Sequence, residues 1–125
     1  MSIISQSVKF AGSKGKAEVE TLFDSGASYS FIKKNVAEKL GLLDSLPEPM
    51  FFETAKENES ISIKQAIRLA FIINDIKLSD EFLISENLSE DIIIGASTMQ
   101  KWRIKLDFDN DKVIVDKKAS RLILK

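Results

Sequence analysis

One short segment of the chain combines residue types that could break a bond with water. Asp24 heads a run of small residues, 24–28, that directly follows the apolar pair Leu22 and Phe23. The pattern places one carboxylate on a tight turn at the end of a predicted strand. A single carboxylate can take a proton from water, but it cannot at the same time give a proton to the leaving group. We therefore interpret the segment as half of a hydrolytic site, whose other half must come from a second chain.

The composition excludes most other catalytic chemistry. The chain contains no cysteine and no histidine, which rules out disulfides, Cys/His zinc sites, thiol nucleophiles and Ser–His couples. An enzyme with this composition must work with carboxylates, hydroxyls or lysines.

Charge and length limit the partners and the domain number that can be expected for this chain. Lysine and arginine (18) nearly balance aspartate and glutamate (19), so no net field recruits nucleic acid or an anionic membrane surface. No apolar stretch approaches the roughly 18 residues that a membrane span needs, and the first residues lack the pattern of a leader. We expect one domain over residues 1–125, either cytoplasmic or a soluble domain released from a longer precursor.

Alternating apolar residues predict that strands make up most of the chain. The longest alternation covers residues 61–73 and ends at Asn74 and Asp75, which tolerate positive φ and suit a two-residue hairpin turn before residues 76–84. The apolar face of this long strand consists of Ile61, Ile63, Ile67, Leu69, Phe71 and Ile73.

Two further hairpins are expected. Residues 12–15 contain two glycines and should join the first two strands. An alternating run from Trp102 to Phe108 predicts another strand, which residues 109–111 turn back into residues 113–115.

Two segments favour helices instead. The first should begin after Ser30 as N-cap and stop at Gly41. The second is short, over residues 97–100, where a hydroxyl and an amide side chain have capping-box spacing. Many short strands with two short helices predict a mainly β domain, in which an antiparallel sheet curls on itself and closes. The apolar stripe of the first helix is Ile32, Val36, Leu40 and Leu43.

The chain also contains a short internal repeat. Residues 26–28 and 95–97 are both Gly-Ala-Ser, and each triplet follows an apolar strand and precedes a predicted helix. The matching context indicates two related halves, although small residues also simply suit strand-to-helix turns.

Two motifs occur in a fixed order. The first covers residues 22–28 and continues through residues 30–32 and 37–42; the second, about 70 residues further on, is Asp-Ile-Ile-Ile-Gly at residues 91–95. An acidic residue and an aliphatic run that end in glycine, before a short helix, follow the active-site motif in one known family. The chain thus resembles the retropepsin-like aspartic proteases, in particular those of Gypsy-type retrotransposons and their bacterial relatives.

The resemblance implies roles for the residues around the turn. Asp24 is the catalytic carboxylate, Ser25 hydrogen-bonds across the dimer axis, and Ser28 helps to orient the acid. Gly26 allows the sharp turn, and Gly95 supports the loop from the second motif. The alternative for Asp24 is an ordinary turn aspartate that satisfies its own backbone.

The resemblance also implies a homodimer and a mechanism. Two Asp24 carboxylates across a two-fold axis would share one proton, because like charges at contact distance oppose each other's ionisation. Aspartic proteases are the known case of such a pair. The ionised member takes a proton from water and the protonated member donates to the scissile carbonyl oxygen. No metal and no cofactor is needed, and the expected partners are a second copy and an extended peptide.

Substrate contacts are expected from two places. Gly26 and Ala27 leave room beside the acid, and Ile94 should line the site. Family geometry implies a flap that closes over the peptide, with Thr54 and Ala55 at its tip against the substrate.

The flap tip departs from the glycine-rich flaps of viral relatives. Residues 54–59 contain three charges and no glycine. The flap is then either stiffer and suited to polar substrates or no longer closes productively, and a solvated hairpin loop is the alternative. The chain ends, at Ile3 and Ile4 or at residues 122–124, are expected to contribute to the dimer.

Two other interpretations stay open. The same dimeric domain could be catalytically weak or inactive and serve as a peptide-binding or assembly module. The charged, glycine-free flap tip favours this alternative. The chain could also be a monomeric β domain with a fortuitous turn motif.

Overall fold

Strands dominate the computed structural model, which describes residues 3–53 and 60–120. This confirms the expected mainly β domain with two short helices. A 3-10 helix over Lys117–Ser120 ends the described part. The strands and α-helices of the two described ranges are β1 (Ile3–Ala11), β2 (Lys16–Asp24), β3 (Phe31–Lys33), α1 (Lys34–Leu40), β4 (Asp44–Glu53), β5 (Ser60–Ile73), β6 (Ile76–Ser85), β7 (Ile92–Ile94), α2 (Ala96–Lys101), β8 (Lys105–Asp107) and β9 (Lys112–Ile114).

Seven of these strands form one sheet that closes on itself. Their order is β1-β2-β7-β3-β6-β5-β4, and β1 also pairs with β5. The extra pairing joins six strands into a ring and leaves β4 outside it. Two neighbouring pairs, β2–β7 and β3–β6, are parallel, whereas β8 and β9 form a separate hairpin.

The core fills the inside of this ring. Phe10, Phe71 and Phe82 are each at most 1 % exposed, and their ring centroids lie 5.7 to 5.8 Å apart. Each such burial is worth roughly 1.5–3 kcal/mol of transfer free energy. Ile61 and Ile63 pack in a second apolar cluster with the end of β6, so the predicted apolar face of the long strand serves two clusters.

The predicted hairpins are present. Asn74 and Asp75 have φ values of 53° and 64°, as a two-residue turn with two left-handed positions requires. At the β1–β2 hairpin the Gly12 amide donates to the Gly15 carbonyl over 2.9 Å, and β8 and β9 form the third hairpin.

The first helix begins later than predicted. Its N-cap is Lys33, not Ser30, because residues 31–33 are taken into the sheet as β3 by parallel pairing with β6 and antiparallel pairing with β7. Ile32 is therefore a buried strand residue, while Gly41 does terminate the helix.

The second helix and the following strand also differ from expectation. Gly95 is the N-cap of α2, without a side-chain cap, so the predicted cap at Ser97 is wrong. The strand predicted from Trp102 begins only at Lys105, because Arg103 adopts a left-handed φ of 54° and breaks the alternation. Trp102 is buried, and its Nε1 donates to the Ser79 carbonyl over 2.9 Å.

Among the described residues, no helix has the length and apolar character needed to cross a membrane.

Candidate active site

Asp24 ends β2 at an edge where two strands finish side by side. β2 and β7 run parallel, with Phe23 opposite Ile94. The segments that follow the two strands, residues 25–28 and 95–97, therefore leave the sheet at the same edge. The topology brings the two motifs of the sequence together.

A tight turn holds the Asp24 side chain. Its Oδ1 accepts a hydrogen bond from the Gly26 amide over 2.8 Å, and its backbone carbonyl accepts one from the Ala27 amide over 3.1 Å. Asp24 is half-buried, so it keeps access to solvent at this edge. The carboxylate thus stabilises its own turn and remains available to a ligand.

Two backbone hydrogen bonds tie the repeated triplets to each other. The Ala96 amide donates to the Ala27 carbonyl over 2.7 Å, and the Ser97 amide donates to the Ser28 carbonyl over 3.1 Å. The two segments that look alike in sequence are therefore direct neighbours in space. One difference remains: α2 begins inside its triplet, at Ala96, whereas β3 separates the first triplet from α1.

Gly95 lies so close to the loop after Asp24 that no side chain fits. An added Cβ would lie 2.2 Å from the Tyr29 carbonyl oxygen and 2.7 Å from the Ala27 carbonyl oxygen. Contacts below about 3 Å do not occur for a real Cβ. The glycine of the second motif thus permits the close approach of the two segments.

A buried pair of hydroxyls makes a further connection between the motifs. Ser30 Oγ lies 2.6 Å from Thr98 Oγ1 and accepts a hydrogen bond from the Gly95 amide over 3.0 Å. Both side chains are at most 2 % exposed. Ser30 was expected to be a helix cap and Thr98 had no predicted role, so this contact was not anticipated from the sequence. The available signal was the strand alternation, which puts Ser30 on the same inward face as Ile32.

An ion pair between the buried Asp80 and the exposed Lys101 adjoins these hydroxyls. Asp80 is 6 % exposed, and its Oδ1 accepts hydrogen bonds from Lys101 Nζ over 2.7 Å and from the Glu81 amide over 2.8 Å. Burial raises the pKa of Asp80, but hydrogen bonds from Lys101, Thr98 and Glu81 together outweigh it and leave that pKa below its usual value. Asp80 therefore stays ionised inside the fold.

An aromatic ledge lies beside the turn. Tyr29 and Phe31 each contact the Phe52 ring edge-to-face, with centroids 5.4 Å apart in both pairs. Ile93, opposite Phe31 in the sheet, is half-buried. The predicted contact residue Ile94 is instead fully buried, because strand alternation turns it into the core. Ile93 is the side chain of β7 that reaches the surface.

An apolar groove adjoins the Asp24 turn at Ser25. Ser25, Met99, Leu106 and Phe108 are among its lining residues. Phe108 is 51 % exposed, although it is a large apolar side chain. This face of the domain, with Ser25 at its margin, is suited to burial against another surface.

The structure brings only some of the predicted site residues together. Residues 24–28 and Gly95 come together at one edge, while Thr54 and Ala55 lie outside the described residues. Ser28 contributes its carbonyl oxygen to the contact between the triplets, and the residue itself is exposed.

The chemistry of this edge depends on one carboxylate. Within residues 3–53 and 60–120, no three acidic side chains are grouped as a metal site would require. One carboxylate can act as base or as acid, but not as both in one step. The arrangement in a single chain is thus incomplete for acid–base hydrolysis by carboxylates.

Comparison with known proteins agrees with this geometry. A family model described as retroviral aspartyl protease matches residues 12–121. The retroviral protease-like domain of Ddi1 from Leishmania major superposes with a TM-score of 0.69 at 20 % identity, covering 94 % of this chain and 90 % of that one.

Two further solved structures share the fold. The EIAV protease in complex with the inhibitor HBY-793 matches with a TM-score of 0.56 at 12 % identity, over 83 % of this chain and 91 % of its own. A retropepsin-like aspartic protease from Rickettsia conorii matches with a TM-score of 0.51 at 18 % identity, over 85 % and 83 %. At these low identities, the superpositions show a common fold.

Proposed function

Because this chain belongs to the retroviral aspartyl protease family, we propose that it is an aspartic endopeptidase that acts as a homodimer, with one Asp24 from each protomer. The observation that carries the proposal is the position of Asp24. Asp24 is a half-buried carboxylate on a tight turn. Hydrogen bonds within the turn and from the segment after β7 hold this turn in place. Such a preorganised acid at a sheet edge suits the activation of water.

The reaction follows from two such acids. The ionised Asp24 removes a proton from a water molecule, whose oxygen attacks the carbonyl carbon of the peptide bond. The partner's Asp24, protonated, gives its proton to the carbonyl oxygen. When the tetrahedral intermediate collapses, the amide nitrogen takes a proton from the dyad and the C–N bond breaks. The products are a carboxylic acid and an amine, and no covalent enzyme intermediate forms.

The surface around the turn supports docking of a second copy. Phe108 is 51 % exposed in the groove that Ser25 borders, and Ile3, opposite Asp24 in the β1–β2 pair, is equally exposed. Burying these side chains in a symmetric contact would stabilise a dimer. It would also bring the two Asp24 turns together, with Ser25 of each turn at the axis. Residues 122–124, the other expected dimer contact, lie outside the described residues.

Peptide binding in this proposal uses the exposed backbone and the aromatic ledge. Gly26 carries no side chain and Ala27 a small one, so an extended peptide can approach the acids closely. Ile93 and the ledge of Tyr29, Phe31 and Phe52 offer an apolar wall to its side chains. Contacts from Thr54 and Ala55 stay a prediction.

A peptide-library digest tests the proposed activity. The purified chain is incubated with the library at mildly acidic and neutral pH, with and without a statine-type transition-state mimic, and products are identified by mass spectrometry. We expect cleavage that the mimic inhibits and that Asp24→Asn abolishes while the sedimentation coefficient stays that of a dimer. Asp75→Asn, the same substitution in an exposed turn, should cleave normally. Hydrolysis that persists in Asp24→Asn would assign the activity to another site.

The alternative is a dimeric module that binds peptides with little or no cleavage. The composition of residues 54–59, three charges without glycine, favours it, because a flap of this kind is poorly suited to close by bending. Binding of the mimic without any cleavage would support this second candidate.

A further inference from the structure

A line of buried polar groups lies at the start of helix α2. The Gly95 amide donates to Ser30 Oγ over 3.0 Å, and Ser30 Oγ lies 2.6 Å from Thr98 Oγ1. Ser30 and Thr98 are at most 2 % exposed. Helix α2 has no side-chain cap, so neither hydroxyl acts as a cap.

The Gly95 amide can only donate, so Ser30 Oγ is its acceptor. The Ser30 and Thr98 hydroxyls share one hydrogen bond, in which either can be the donor. Hydrogen bonds in a chain polarise one another, so loss of the Thr98 hydroxyl weakens the hold of Ser30 on the Gly95 amide.

The line ends at the backbone that supports the catalytic turn. Gly95 contacts the carbonyl oxygens of Ala27 and Tyr29 so closely that a methyl group is excluded. The next residue, Ala96, donates to the Ala27 carbonyl over 2.7 Å. A shift of Gly95 would therefore move the loop that begins at Asp24.

We propose that Ser30 and Thr98 are positioning residues, which hold the Gly95 amide and through it set the geometry of the Asp24 turn. The inference rests on the proposed function for its catalytic consequence, but the link from Ser30 to Gly95 does not. Neither side chain reaches the reacting atoms. Their effect is on the rate of the chemical step, because a small misplacement of a catalytic group lowers the rate far more than it weakens binding.

Thr98→Val tests the catalytic consequence, because valine keeps the shape and removes the hydroxyl. We expect kcat to fall by about tenfold, with KM for the same peptide within about twofold. Thr21→Val is the matched control: Thr21 is 0 % exposed, and its hydroxyl donates to the Val19 carbonyl over 2.9 Å, outside the line. It should lose comparable stability and keep kcat. An equal fall of kcat in both variants, or none in Thr98→Val, would overturn the proposal.

Hydrogen exchange separates this inference from the proposed function. In Ser30→Ala the Gly95 amide loses its acceptor, so its exchange should accelerate at least about tenfold, with the β5–β6 amides unchanged. This readout does not require catalysis, so it decides the link even if wild-type protein cleaves no peptide. Unchanged Gly95 exchange in Ser30→Ala, measured by NMR on the folded variant, would contradict the inference while leaving the proposed function standing.

Discussion

Replacing Gly95 with alanine puts a methyl group where backbone atoms already lie. The φ and ψ of Gly95, −99° and −176°, suit alanine, so the cost comes from the clash alone. The Tyr29 carbonyl oxygen, 2.2 Å from the added Cβ, would have to retreat by about 0.8 Å to reach 3.0 Å. Overpacking against such unyielding groups costs about 1–3 kcal/mol. Weakening the two hydrogen bonds at Gly95 and Ala96 adds about 1 kcal/mol each.

The expected total is about 3 to 5 kcal/mol of unfolding free energy, or a Tm about 11 to 19 °C lower. Urea unfolding followed by Trp102 fluorescence measures it, because the only tryptophan is 4 % exposed. Gly15→Ala is the control, since its Cβ would meet its nearest atom at 3.4 Å and its φ is not positive. It should change stability by less than about 1 kcal/mol. Equal urea midpoints for wild type and Gly95→Ala would refute the close-approach argument.

Three further outcomes are expected. The pKa of Asp80 is lowered in the folded protein. The ionised carboxylate therefore contributes its full stability above about pH 4, and this contribution is lost as the pH falls through the folded pKa. The difference in unfolding free energy between wild type and Asp80→Asn should shrink from pH 6 to pH 3, and a constant difference would contradict this expectation. Phe108→Glu should shift the sedimentation of the dimer toward monomer by about tenfold in Kd or more, and an unchanged dimer would exclude this face. Asp75→Gly should stabilise the β5–β6 hairpin by about 0.5–1 kcal/mol, because glycine adopts the observed φ of 64° without strain; a lower urea midpoint would argue against it.

The features predictable from sequence are those that local residues determine. Asn74 and Asp75 specify their turn because both accept positive φ, whatever the rest of the chain does. Gly41 ends its helix where the sequence predicts, but in an extended conformation, with a φ of −174°. The Asp24 motif could be located because its small residues and the preceding apolar run are contiguous.

The features that sequence reasoning missed depend on pairing between distant segments. Ser30 is an ordinary N-cap candidate until β3 forms, and β3 exists only because residues of β6 and β7 pair with it. Its partner Thr98 is 68 positions away. Whether Ile93 or Ile94 reaches the surface depends on the direction of each side chain. That direction is set by the pairing of β7 with β2 and β3. Propensity carries no information about such contacts.

Mixed dimers test the shared dyad most directly. Wild-type protein and Asp24→Asn are mixed at a fixed total concentration and allowed to exchange subunits fully, and the initial rate of peptide cleavage is measured against the wild-type fraction. If each site needs both Asp24 carboxylates, activity follows the square of that fraction, so an equal mixture retains about a quarter of the wild-type rate. A linear dependence, with about half the rate retained, would mean that one protomer cleaves alone and would contradict the account.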